Sequence, residues 1–79
     1  MKYLVIEIQT FEGGAVSTPT YAYDSEESAL SKFFSLCAGA SVSTLPVHSV
    51  VLMTHEGFQL RAECFKHEAV PVEPEQTEG

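Results

Sequence analysis

Residues 2–10 alternate between two sets of positions. Leu4, Ile6 and Ile8 fall on one side, and Tyr3, Val5, Glu7 and Gln9 on the other. This period of two is the signature of a β-strand. The aliphatic set predicts the face turned to the core. Glu12-Gly13-Gly14 supplies a turn, because adjacent glycines adopt positive φ without steric cost. A Thr- and Tyr-rich strand over about 17–23 follows, and Pro19, which has no N–H to donate, suits that strand to a sheet edge.

After Asp24 the period changes. Leu30, Phe33, Phe34, Cys37 and Ala38 recur at i, i+3, i+4, i+7 and i+8, which makes one apolar stripe on a helix. Asp24 or Ser25 caps its start, and Glu26 and Glu27 complement the dipole in its first turn. Gly39 and the Ser/Thr-rich run to Thr44 end it, and Pro46 blocks continuation. Residues 47–54 are apolar on both sides, as in a central strand. His55-Glu56-Gly57 reads as a hairpin loop, after which Phe58, Leu60, Ala62 and Cys64 alternate with Gln59, Arg61 and Glu63. That loop predicts the pairs Thr54–Phe58, Leu52–Leu60, Val50–Ala62 and His48–Cys64.

The order β-β-α-β-β predicts an α+β fold. One helix packs on one face of a four-stranded antiparallel sheet with spatial order 2-1-3-4. Residues 1–67 form this single domain. Residues 68–79, rich in Pro and Glu, have little to bury and read as a disordered acidic tail.

Composition narrows the function more than it defines it. A chain of 79 residues with 44% hydrophobic and 19% charged side chains is a globular domain of one unit. Such a domain buries only roughly 60% of its unfolded surface, and self-association is one way to add stability. The apolar run after Met1-Lys2 is cut by Glu7, and no stretch reaches the ~20 apolar residues of a membrane span. A cytoplasmic setting with reduced cysteines is the expectation. The net charge is −7. Glu68, Glu73, Glu75 and Glu78 lie in the tail, which leaves seven acids against four bases in residues 1–67. Neither nucleic acid nor an anionic membrane is an expected partner for that balance.

One cluster invites a chemical reading. With the hairpin register above, Cys37, His48, Cys64 and His67 converge at one end of the molecule. Two thiolates and two imidazoles suit tetrahedral zinc. Only Cys64-x-x-His67 has the close spacing usual in such sites, and two small buried thiols beside a backbone-satisfied histidine account for the same residues. No metal or other cofactor is therefore expected, and a small zinc-binding module stands as an alternative. A Cys–His nucleophilic pair would need a thiolate stabilised by positive charge, whereas an apolar interface raises the thiol pKa. No catalytic residue is assigned and no enzyme is expected.

The sheet face away from the helix carries more information. In the predicted register it presents Tyr3, Val5, Val47, Val51 and Met53 among Glu7, Gln9, Gln59, Arg61 and Glu63. A half-apolar open face on a small domain often marks an association surface. Homodimerisation is the leading partner expectation, and contact with a different protein is the next. An acidic inhibitor of a host nucleic-acid enzyme is the alternative of a different class, since it would act by charge mimicry.

Several segments resemble small proteins encoded by phages and prophages of Gram-positive gut bacteria. They are Met1 to Thr10, Ala22-Tyr23-Asp24 ahead of the helix with Ala29 and Ser31-Lys32, Leu45-Pro46-Val47-His48, Glu56-Gly57-Phe58, and Cys64-Phe65-Lys66-His67-Glu68. Together these cover most of residues 1–67. The resemblance implies an accessory or structural role in the host cytoplasm or on the virion, with another phage or host protein as a partner, and implies no catalytic residue.

Overall fold

A computed structural model describes residues 2–67. The tail expected over 68–79 lies outside the described residues. The elements are β1 (Tyr3–Thr10), β2 (Val16–Ser17), β3 (Thr20–Tyr23), α1 (Glu26–Ser41), β4 (Val47–Thr54) and β5 (Gln59–Lys66). They form an α+β fold in which one helix packs on one face of an antiparallel sheet of order β2-β1-β4-β5, with β3 also paired to β1. The edge strand expected over 17–23 is present in two pieces. Thr18 and Pro19 divide it, and the Pro19 carbonyl still accepts from Glu7 N at 2.9 Å. A residue that cannot donate interrupts the ladder without detaching the strand.

The helix starts where its capping residues place it. Ser25 has extended backbone, and its Oγ accepts from Ser28 N at 3.1 Å. Its end falls at Ser41, in the Ser/Thr-rich run, with Gly39 in the last turn and Ala40 fully buried. The stripe is rotated. Ala29, Phe33 and Ala40 are buried, with Leu30, Leu36 and Cys37 packed beside them, while Ala38 is exposed and Phe34 is 53% exposed. Small residues at 29 and 40 let the helix sit close to the sheet, and Phe33 fills the space between. Phe34 is left at the flank, edge-on to Phe33 at 5.5 Å between centroids.

The largest correction concerns which face of the sheet is the core. Tyr3 and Val5, assigned to the open face, lie on the helix side, where Val5 joins Val50, Leu52 and Phe33 in the buried cluster. Cross-strand pairs on that side are Val5 with Leu52, Glu7 with Val50 and Gln9 with His48. Tyr21, Tyr23 and Phe65 complete it around the rim. Each buried aromatic contributes about 150–250 Å². Four aromatics, Tyr3, Tyr21, Tyr23 and Phe65, thus gather around Val5, Val50 and Leu52 on the helix side, and Leu4, Ile6 and Ile8 face away from the helix. Lys32 Nζ covers the Tyr21 ring at 4.2 Å and closes one rim.

The β4–β5 hairpin explains the second correction. The loop closes as expected, with Thr54 N donating to Phe58 O at 2.8 Å and Gly57 at φ +100°. A β-bulge follows between Leu52 and Met53, so Met53 pairs with Gln59 but Leu52 pairs with Arg61. One extra residue in β5 exchanges its two faces. Arg61, Glu63 and Phe65 now share the helix side, and Ala62 and Cys64 share the open side.

Candidate functional site

Two features stand out once the faces are assigned: a polar pair beneath the helix, and an apolar sheet face with nothing over it among the described residues.

Glu7 on β1 and His48 on β4 are neighbours on the diagonal of the helix-side ladder, through the pairs Glu7–Val50 and Gln9–His48. Glu7 Oε2 and His48 Nε2 are 2.6 Å apart, and the two side chains are 12% and 8% exposed. A carboxylate only accepts, so Nε2 carries the proton and donates. His48 Nδ1 is buried and has no hydrogen-bond partner among the described residues. A carboxylate that fixes an imidazole tautomer is the supporting half of an acid–base triad. No cavity opens onto Nδ1 among the described residues. In this arrangement the pair ties the two central strands together.

The four residues of the alternative zinc reading, Cys37, His48, Cys64 and His67, are not brought together. Among the described residues no group of three or more His, Cys, Asp or Glu side chains is placed to hold a metal. The bulge moves Cys64 opposite Ser49, exposed on the open side, while His48 lies under the helix opposite Phe65. Cys37 stays on the helix side, half-buried, and its thiol pKa is raised, first by desolvation and then by the Glu63 carboxylate. His67 donates from Nε2 to Ala40 O at 2.9 Å, and its backbone N–H donates to Pro46 O at 2.9 Å. It therefore fastens the end of β5 to the end of α1.

The open face is laid out in cross-strand rows. Ala22, Leu4, Met53 and Gln59 form one, Thr20, Ile6, Val51 and Ala62 the next, then Ile8, Ser49 and Cys64, and finally Val16, Thr10, Val47 and Lys66. Of the residues assigned to this face from sequence, Val47, Val51 and Met53 are here; Tyr3 and Val5 are replaced by Leu4, Ile6 and Ile8. Glu7, Gln9, Arg61 and Glu63, expected among them, lie on the other side. The substitution makes the face more apolar than expected, and Lys66, at its end, is the one charged residue in these rows. Leu4, Ile6, Ile8, Val51 and Met53 are each half-buried, because strand neighbours shade one another. The whole face measures about 26 Å by 19 Å, or roughly 500 Å², from strand rise and spacing. Thr10, Thr20, Ser49 and Lys66 take part of that area, and the aliphatic remainder is a contiguous patch of the kind that often marks an association surface.

Sequence reasoning missed the Glu7–His48 pair because Glu7 alternates with three aliphatic residues and so reads as solvated. The available signal was the antiparallel β1–β4 pairing, which brings residues 7 and 48 together once Val5 faces inward. No protein-family model, curated protein or solved structure matches this chain. No helix among the described residues is long and apolar enough to cross a membrane.

Proposed function

We propose that this chain is a non-enzymatic protein-contact module, of the accessory or structural kind found in phages, that associates with a second copy of itself through the open sheet face. The observation that carries the reading is the placement of Leu4, Ile6, Ile8, Val51 and Met53 on the side away from α1. The part of these half-buried side chains that stays in water forgoes stabilisation of about 25 cal/mol per Å² of apolar surface. A second copy suits this surface for two reasons. The rows contain almost no charge, so two like faces meet without burying like charges. Two faces of roughly 500 Å² also give about 1,000 Å² in total, the lower bound for a specific protein interface.

The direct test is the molar mass by light scattering across a concentration series. The reading expects a multiple of the 8.6 kDa chain. A mass of one chain at all concentrations, up to the millimolar range, contradicts it.

A further inference from the structure

We propose a second contact between copies: two β5 strands join edge to edge, antiparallel, about a two-fold axis at Ala62, so that Arg61 of each copy pairs with Glu63 of the other.

β5 is the terminal strand of the sheet, and among the described residues it pairs only with β4. The opposite edge is unsuitable, since it is broken at Thr18-Pro19 into pieces of two and four residues. β5 is regular from Arg61 to Lys66. Its outward main-chain groups follow from the ladder. His67 N donates to Pro46 O, so alternation directs Phe65, Glu63 and Arg61 toward β4, and Ala62, Cys64 and Lys66 outward. The strand thus presents a usable row of donors and acceptors, with exposed side chains from Gln59 to Cys64.

Charge selects the register. In a symmetric antiparallel pair, residues directly opposite share a face, so the axis passes through a residue. An axis at Glu63 sets Glu63 against its own copy, and an axis at Arg61 sets arginine against arginine. An axis at Cys64 sets Glu63 against Phe65 and gains no ion pair. An axis at Ala62 sets Arg61 against Glu63 twice. The small Ala62 side chains meet on the axis and Cys64 lies opposite Leu60. With Ala62 exchanging the main-chain hydrogen bonds, residues 61 and 63 form non-hydrogen-bonded pairs, where side chains are closest. Opposite charges across strands attract and like charges destabilise, so this register is both favoured and guarded against slippage. Arg61 is already oriented by the Phe34 ring, 5.5 Å from its guanidinium carbon.

The contact lies in the plane of the sheet and leaves the open face uncovered. It is independent of the face contact proposed above, and the two fail separately.

Two measurements on the full chain test it. In the first, A62C/C64S and the unaltered chain are oxidised and the cross-linked cysteines are mapped by peptide mass spectrometry. The A62C/C64S chain is expected to form a symmetric disulfide through position 62, because Cα atoms of a hydrogen-bonded pair lie about 5.5 Å apart, within disulfide reach. The unaltered chain is expected to give no Cys64–Cys64 bond. In the second, R61E and E63R are each expected to weaken self-association on the order of tenfold or more, and R61E/E63R to restore it. Cross-linking through Cys64 instead of position 62, no cross-link at either, or a double reversal that stays as weak as the single variants overturns the proposal. A face variant such as I6K is expected to leave the position-62 cross-link intact.

Discussion

Glu7 Oε2 and His48 Nε2 lie 2.6 Å apart beneath α1, and they join the two central strands of the sheet by their side chains as well as their backbones. Removing one member of a buried pair leaves the other desolvated and unpaired, at a cost of about 3–5 kcal/mol. Glu7→Ala is therefore expected to lose that much in urea unfolding. Glu7→Gln keeps an acceptor for the imidazole N–H and is expected to lose less. Glu7→Val with His48→Leu removes both polar groups and is expected to recover most of the loss. A double variant as unstable as Glu7→Ala would show that the pair is not the cause.

Phe33 and Phe34 are adjacent in sequence and opposite in consequence. Phe33 is 2% exposed at the centre of the core, so Phe33→Ala is expected to cost about 3–5 kcal/mol. Phe34→Ala removes a ring that is largely in water and is expected to cost about 1 kcal/mol or less. Equal losses in thermal or urea unfolding would contradict the rotated helix stripe.

Cys37 and Cys64 are expected to differ in reactivity. Desolvation and Glu63 raise the Cys37 thiol pKa, so at any pH below that value less of it is thiolate. Cys64, exposed on the open side, is expected to react first with a thiol reagent at pH 8. The Cys37 rate is expected to rise at higher pH, and Glu63→Gln to move that rise toward lower pH. Competition of the two thiols with one alkylating reagent, followed by mass spectrometry across pH, reads both effects.

Gly57 turns the β4–β5 hairpin at φ +100°, with Gly57 N donating to Thr54 O at 3.0 Å. Nothing lies within 4 Å of an added Cβ, so Gly57→Ala is penalised by backbone conformation alone. The expected loss is about 1–2 kcal/mol in urea unfolding. No loss would mean that the loop relaxes to another turn.

The sequence carried the element order, the helix cap at Ser25, the hairpin closure at Thr54 and Phe58, and the order of strands. These are local: turn chemistry, capping and period each act over a few residues. The faces of β1 and β5 were not legible from the same information. In β1, Leu4, Ile6 and Ile8 look like the core set, whereas Tyr21, Tyr23 and Phe65, from other strands, gather on the opposite side around Val5. In β5 one extra residue, Leu60, exchanges the faces, and no Gly or Pro in that strand announces it. The candidate zinc cluster dissolves for the same reason, because its Cys64–His48 contact depended on that register. The polar pair of Glu7 and His48 emerges only when the faces are right.

The account rests on Leu4, Ile6, Ile8, Val51 and Met53 being covered by a second copy. Sedimentation velocity on the unaltered chain and on Ile6→Lys with Val51→Lys tests this most directly, since those changes place two charges in the middle of the open face and leave the helix-side core intact. The unaltered chain is expected to sediment as an assembly and the variant as a smaller species with the same far-ultraviolet circular dichroism. Identical sedimentation of the two, with both folded, would contradict it.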